Sequence, residues 1–159
     1  MTSNIDKDNN CNTDISGWVL LISGGMAFIT GVLVIAGWYL ALPSLIRLYP
    51  AFPAMAFNAA LLLAVSGVGL FAHGRRHPRL TMFCGGIVAV AGWLTLIQYF
   101  FGIDLHIDQL FIEDRFSGRA PYAGRMAPNA ALAFLLTGLA LLMLGTPARH
   151  PQRHVFLGV

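Results

Sequence analysis

The sequence predicts an all-α integral membrane protein of four transmembrane helices, arranged as two tandem helical hairpins with both termini in the cytoplasm. Three observations support this prediction. Of 159 residues, 57% are hydrophobic and only 11% are charged, whereas soluble domains are about 25% charged. Four uncharged stretches each reach the roughly 20 apolar residues that cross a bilayer. The motifs of the first two stretches recur in the last two, as an internal repeat would require.

Uncharged stretches define the membrane segments in order. They run over residues 15–46, 48–74, 80–103 and 126–148. Proline and glycine signals at their ends shorten them to helices at about 16–41, 54–72, 80–101 and 127–145. Pro128 then lies in the first turn of the last helix, where its missing N–H does no harm. The chain thus divides into a polar tail 1–14, a membrane domain 15–146 and a basic tail 147–159.

Basic residues in the short loops predict the orientation. The turn between the second and third helices holds Arg75, Arg76 and Arg79, and Arg149 and Arg153 follow the fourth helix. Because Lys and Arg concentrate in cytoplasmic loops, we expect this side to be cytoplasmic. The loop 102–126 then faces outward.

Two motifs recur along the chain. The segment 31–38, GVLVIAGW, is similar to 86–93, GIVAVAGW, and the segment 55–61, MAFNAAL, is similar to 126–132, MAPNAAL. Trp38 and Met55 are 17 positions apart, whereas Trp93 and Met126 are 33 apart, so about 16 residues are inserted in the second outward loop. Long loops in compact folds are usually functional or disordered.

Two segments around this loop resemble a known family. They read GIDLHIDQLF at 102–111 and GRMAPNAALAFLLTGLAL at 124–141. They are similar to the N-terminal membrane region of bacterial sensor histidine kinases and diguanylate cyclases, where GID-x-L and GRM-x-PNTALAF-like motifs join helices ahead of a cytoplasmic output domain. The resemblance covers about residues 17–146. Ala130 stands where a threonine is usual, and no output domain follows before Val159. The resemblance implies a sensory module of the bacterial inner membrane, which either acts through a partner or is a fragment of a larger sensor.

The outward loop and the adjacent helix ends hold the candidate site. Contacts with a ligand or partner are expected from Asp104, His106, Asp108, Glu113, Asp114, Arg125, Asn58 and Asn129. On an extended chain Asp104, His106 and Asp108 would point the same way, and such side chains can bind a divalent metal. The four acids of the loop face its three arginines, or four arginines if Arg47 joins them, and this near balance favours internal ion pairs instead. No metal and no cofactor are therefore predicted.

Asn58 and Asn129 occupy matching positions in the repeat. Each amide can cap free N–H groups or bond a neighbouring helix. The functional alternative is a polar contact in a small-molecule pocket between the hairpins. Arg125 can pair with the loop acids or with lipid phosphate.

Absences in the predicted spans exclude several functions. No His is present to ligate a haem between helices, and no carboxylate to relay protons. The chain lacks a P-loop and a nucleophile elbow, so we do not expect an enzyme. A net charge of only +3, without a basic stripe, speaks against nucleic acid as a partner.

We therefore expect a non-catalytic sensory or signal-relaying module that passes an external or membrane cue to a cytoplasmic partner. The alternative is an accessory or structural subunit of a larger membrane complex, which would dock through its loop and helix faces. A transporter or channel is a weaker third possibility.

Expected partners are membrane lipid, other membrane or cytoplasmic signalling subunits and a second copy of the chain. Ridges of small residues spaced by four suit such close helix contacts: Ser23, Ala27 and Gly31, and Ala56, Ala60 and Ala64.

Overall fold

The computed structural model describes the backbone of residues 3–42, 46, 54–103 and 124–146, and the side chains of these ranges from Gly17 onward. This part of the chain forms four helices and contains no strand. The helices are α1 (Ser3–Tyr39), α2 (Phe57–Gly74), α3 (Pro78–Phe101) and α4 (Pro128–Gly145). Each contains a stretch long and apolar enough to cross a membrane. The predicted all-α fold with four such helices is confirmed.

The observed bounds of α2, α3 and α4 lie within three residues of the predicted ones. Pro128 lies in the first turn of α4, as predicted, and Pro78 begins α3. The larger difference concerns α1, whose helical backbone starts at Ser3 rather than near residue 16. No proline or glycine precedes Gly17, so nothing in the polar segment interrupts the helical hydrogen bonds. The apolar part of α1 is Gly17–Tyr39.

The helices pack as two pairs. In the described ranges α1 contacts only α2, whereas α3 packs extensively against α4. The two pairs meet along α2 and α3, and α4 touches α2 to a small extent. As a result α2 is the most enclosed helix, while α1 and α4 expose apolar flanks of the kind that lipid covers.

Glycines bring the backbones of each pair into close contact. A Cβ atom on Gly31 of α1 would lie 2.7 Å from the carbonyl oxygen of Ala60 in α2. A Cβ on Gly92 of α3 would lie 2.8 Å from the carbonyl oxygen of Ala131 in α4. Neither position has room for a side chain. Small residues permit such close helix approach within lipid.

These contacts define the register of the internal repeat. The equivalent positions are Gly24 and Gly85, Gly31 and Gly92, Trp38 and Tyr99, and Gly67 and Gly138. The predicted alignment of α2 with α4 is confirmed by this set. The predicted alignment of α1 with α3 is wrong by six residues, because it matched Trp38 to Trp93. Trp93 is 55% exposed on the surface of α3, whereas the register follows the glycines on which the helices touch.

Candidate functional site

At one end of the molecule α1 and α3 finish and α2 and α4 begin. An equivalent hydrogen bond forms at this end in each helix pair. We call this end the loop end, because the loop 102–126 attaches there. The Trp38 indole N–H donates to the carbonyl oxygen of Met55 at 3.0 Å, and the Tyr99 hydroxyl donates to the carbonyl oxygen of Met126 at 3.0 Å. These partners are 17 positions apart in the first pair and 27 in the second. The second connection is therefore ten residues longer, not 16.

The second pair carries a polar cluster at the loop end, which we call the Arg125 cluster and which comprises Gln98, Tyr99, Ile103 and Arg125. The guanidinium of Arg125 donates to Oε1 of Gln98 at 3.0 Å and to the carbonyl oxygen of Ile103 at 3.5 Å. It lies over the Tyr99 ring, 5.4 Å from the centroid. Charge-assisted hydrogen bonds and cation–π contacts both hold a guanidinium in place. Arg125, the last residue but one of the predicted outward loop, is thus tied to the end of α3.

Among the described residues, the first pair lacks the two side chains at the equivalent positions. In the repeat Gly37 corresponds to Gln98 and Ala54 corresponds to Arg125, so the amide and the guanidinium are both missing. The Arg125 cluster is therefore a feature added to one copy of a shared helix-pair design. It accompanies the longer loop.

The two repeat asparagines have different environments. Asn58 is only 9% exposed, because α2 lies between α1 and α3. Asn129 is exposed in the first turn of α4, where its side-chain oxygen accepts from the N–H of Ala130 at 2.9 Å. Neither α2 nor α4 has a side-chain hydrogen bond from its N-cap residue, which is Ala56 in α2 and Ala127 in α4. Sequence similarity predicts the same place in the repeat but not the same burial.

A groove runs between α2 and α3, with a cavity volume of about 730 Å³. Its lining is mostly apolar, and the remaining three side chains are the uncharged polar groups of Asn58, Thr95 and Gln98. These groups lie in the halves of α2 and α3 nearest the loop end. Gln98, only 1% exposed, belongs to both the groove and the Arg125 cluster.

The opposite end, which we call the turn end, is basic. Arg75, Arg76, His77 and Arg79 are all exposed there, and the Arg75 guanidinium lies 4.8 Å from the centroid of the Phe71 ring. Arg76 adopts a left-handed backbone conformation with φ 60°, which lets the chain reverse within a few residues. The basic groups therefore project where headgroups of a bilayer would lie.

Several predicted site residues fall outside the described part of the chain, namely Asp104, His106, Asp108, Glu113 and Asp114. Asn58 lines the groove, Arg125 is joined to it through the hydrogen bond with Gln98, and Asn129 does not line it. Sequence reasoning missed Gln98, Tyr99 and Thr95 as site residues. A buried glutamine in an otherwise apolar span was the signal that could have identified the site, since buried polar groups require partners. Within the described ranges no three His, Cys, Asp or Glu side chains come together.

Four helices of this length and composition define a multi-pass membrane protein. The chain matches no known protein family, no curated protein and no solved structure. Its distinguishing features within the described residues are the Arg125 cluster, the groove and the basic turn end.

Proposed function

We propose that the protein is a non-catalytic membrane module that receives an external or membrane cue and passes it to a cytoplasmic partner. The observation that supports this proposal is the Arg125 cluster. Arg125 links the end of the long loop to Gln98 in α3 at 3.0 Å, and α4 begins three residues later. Because α3 and α4 touch through glycines, a displacement of the loop would move both helices together.

The proposed orientation places the two helix pairs as tandem hairpins in a bacterial inner membrane, with both termini in the cytoplasm. The exposed arginines of the turn end support it, because basic residues favour the cytoplasmic side. The resemblance of 102–111 and 124–141 to sensor membrane regions supports it as well. In this orientation the cue arrives at the loop end and the response leaves from the turn end and the tails.

The energies involved are suited to a switch. A cue changes a conformational equilibrium only if it binds two states with different affinity, and couplings between sites are typically about 1–3 kcal/mol. A hydrogen bond to a charged group contributes about 1.5–3 kcal/mol. The contribution of the bond between Arg125 and Gln98 is therefore of the same order as the coupling that such a switch requires.

The test begins with affinity purification of the full chain in mild detergent and identification of the retained proteins. A retained kinase or cyclase is then assayed in nanodiscs without the chain, with the wild-type chain and with Arg125→Ala. We expect the wild-type chain to change the partner's turnover and Arg125→Ala to reduce that change. The matched control is Phe100→Ala, because Phe100 is exposed at the same end and lies outside the cluster.

A different outcome would replace this proposal. A partner whose turnover is the same with and without the chain would rule out signal relay. A stoichiometric set of larger membrane subunits would identify the protein as an accessory subunit. The structure offers that alternative a docking surface, since α1 contacts only α2 among the described residues and its opposite face is exposed and apolar. Trp18 and Met26 lie on that face.

A further inference from the structure

The groove between α2 and α3 has the length of a lipid tail. Its lining on α3 extends from Met82 to Gln98, which at 1.5 Å per residue is about 24 Å of helix. The hydrocarbon core of a bilayer is about 30 Å thick, so the groove would cross most of it. Its volume of about 730 Å³ lies within the range of roughly 300–1,000 Å³ that small-molecule sites occupy.

The polar end of the groove is built from buried, neutral side chains. Gln98 is 1% exposed, Thr95 4% and Asn58 9%. Amides both donate and accept hydrogen bonds, so this end is suited to a head group with carbonyl or hydroxyl oxygens. No charged side chain lines the groove in the described part of the molecule. The nearest cation, the guanidinium of Arg125, does not line the groove and donates instead to Oε1 of Gln98 at 3.0 Å and to the carbonyl oxygen of Ile103 at 3.5 Å. A phosphate or carboxylate head would therefore lose its hydration without a charged group of the lining to replace it, at considerable cost.

The groove is accessible from the side. Phe83, Ile87 and Val90 line it on α3 and are exposed, so a tail can enter directly from the surrounding lipid. Gly86 lies in the same wall, and a Cβ atom there would meet no other atom within 4 Å. The wall at this point is open space, unlike the glycine contacts within each helix pair.

We propose that this groove binds a neutral, single-tailed lipid whose head group carries carbonyl or hydroxyl oxygens. The tail lies along α3 towards Met82, and the head contacts Asn58 and Gln98 near the loop end. The site goes beyond the relay function proposed above and does not depend on it, because lipid binding is measured without any partner. A head group bound next to Gln98 would also contact the Arg125 cluster, because Gln98 accepts a hydrogen bond from Arg125.

The test uses the full chain in phosphatidylcholine vesicles and a monoacylglycerol with a photoactivatable diazirine in its chain. We expect saturable labelling of residues 82–98 and 58–62, competed by unlabelled monoacylglycerol. Gly86→Leu fills the wall, and since each displaced methylene forfeits about 0.8 kcal/mol, it should weaken binding by at least about tenfold. Gly25→Leu is the matched control. Gly25 is the repeat equivalent of Gly86 on α1, and a Cβ there also meets nothing within 4 Å.

A second variant tests the head group. Asn58→Leu keeps a side chain of similar size but removes the amide, so it should reduce labelling by the monoacylglycerol and leave labelling by a diazirine alkane unchanged. Three results would overturn the proposal. Even, non-saturable labelling of the exposed faces of α1 and α4 would mean ordinary bilayer lipid. Preferential labelling by the corresponding diazirine fatty acid would mean an anionic head, and crosslinks between two chains within the groove would mean a second copy.

Discussion

Arg125 is the residue of the candidate site that combines a charge-assisted hydrogen bond with a cation–π contact. Its guanidinium combines the bond to Gln98 with the Tyr99 ring contact. We expect Arg125→Ala to lower the free energy of unfolding by about 2 kcal/mol, in the range for hydrogen bonds to charged groups. Arg75→Ala is the control, because Arg75 is exposed over Phe71 and a cation–π contact at an exposed site contributes only about 0.5–1 kcal/mol.

A double-mutant cycle separates the bond from other effects of the substitution. Arg125→Ala, Gln98→Ala and the double variant are compared by reversible unfolding in bicelles. Since residues in contact are coupled, the double variant should be about 1 kcal/mol less destabilised than the sum of the singles. Additive losses would mean that Arg125 stabilises the loop end without Gln98, which would weaken the proposed link between the loop and α3.

A second residue-scale prediction concerns the end of α1. Ala41 has a left-handed backbone, φ 52°, and its repeat equivalent is Gly102 at φ 63°. The N–H of Leu42 donates to the carbonyl oxygen of Gly37 at 3.0 Å, which is typical of a helix C-terminus with a left-handed residue. Because an L-residue with a Cβ is disfavoured there by about 1 kcal/mol, we expect Ala41→Gly to raise the thermal unfolding temperature in detergent. Gly102→Ala should lower it, and equal effects of the two variants would contradict this explanation.

At the scale of the helices, the glycine contacts make a prediction about each pair. Overpacking a close contact costs about 1–3 kcal/mol or more, so Gly31→Leu should separate α1 from α2 and Gly92→Leu should separate α3 from α4. Gly25→Leu and Gly86→Leu should be tolerated, since both positions are open. Disulfide crosslinking between cysteines placed across each pair measures the separation. Loss of crosslinking in the Gly25→Leu and Gly86→Leu variants as well would show that the pairs depend on glycine content in general and not on the close contacts at Gly31 and Gly92.

The same helices show what the sequence could and could not predict. Hydropathy predicts four apolar helices because a bilayer requires about 20 apolar residues per span. Hydropathy does not predict how the two repeats align, since Trp38 and Tyr99 donate equivalent hydrogen bonds although they are different residue types. Burial is equally difficult to predict, because Asn58 and Asn129 share a motif although, in the described ranges, α2 contacts all three other helices and α4 packs mainly against α3. The Arg125 cluster joins residues 27 positions apart, a contact that no local pattern indicates.

In the whole molecule, the features shared by the two helix pairs differ from the features that form the candidate site. Both pairs share the glycine contacts and the aromatic bond at the loop end, so these features account for the common fold. Within the described residues the Arg125 cluster belongs to the second pair, which also has the longer connection, and the groove lies at the seam between the pairs. The differences between copies, rather than the shared motifs, thus locate the candidate site.

Orientation is the remaining property of the whole molecule, and single-cysteine labelling tests it. With Cys11 and Cys84 replaced by Ser and Ala, His77→Cys places a thiol at the exposed turn end and Asp108→Cys places one in the long loop. In bacterial cells a membrane-impermeant maleimide should label the Asp108→Cys chain from outside and the His77→Cys chain only after permeabilisation. Trp93→Cys is the control, because the bilayer would shield a thiol on the lipid-facing surface of α3 in both conditions.

The reverse labelling pattern would place the basic turn outside, against the usual distribution of arginine. A cue could then reach the Arg125 cluster only from the cytoplasm or the bilayer, and the module would no longer report on the exterior.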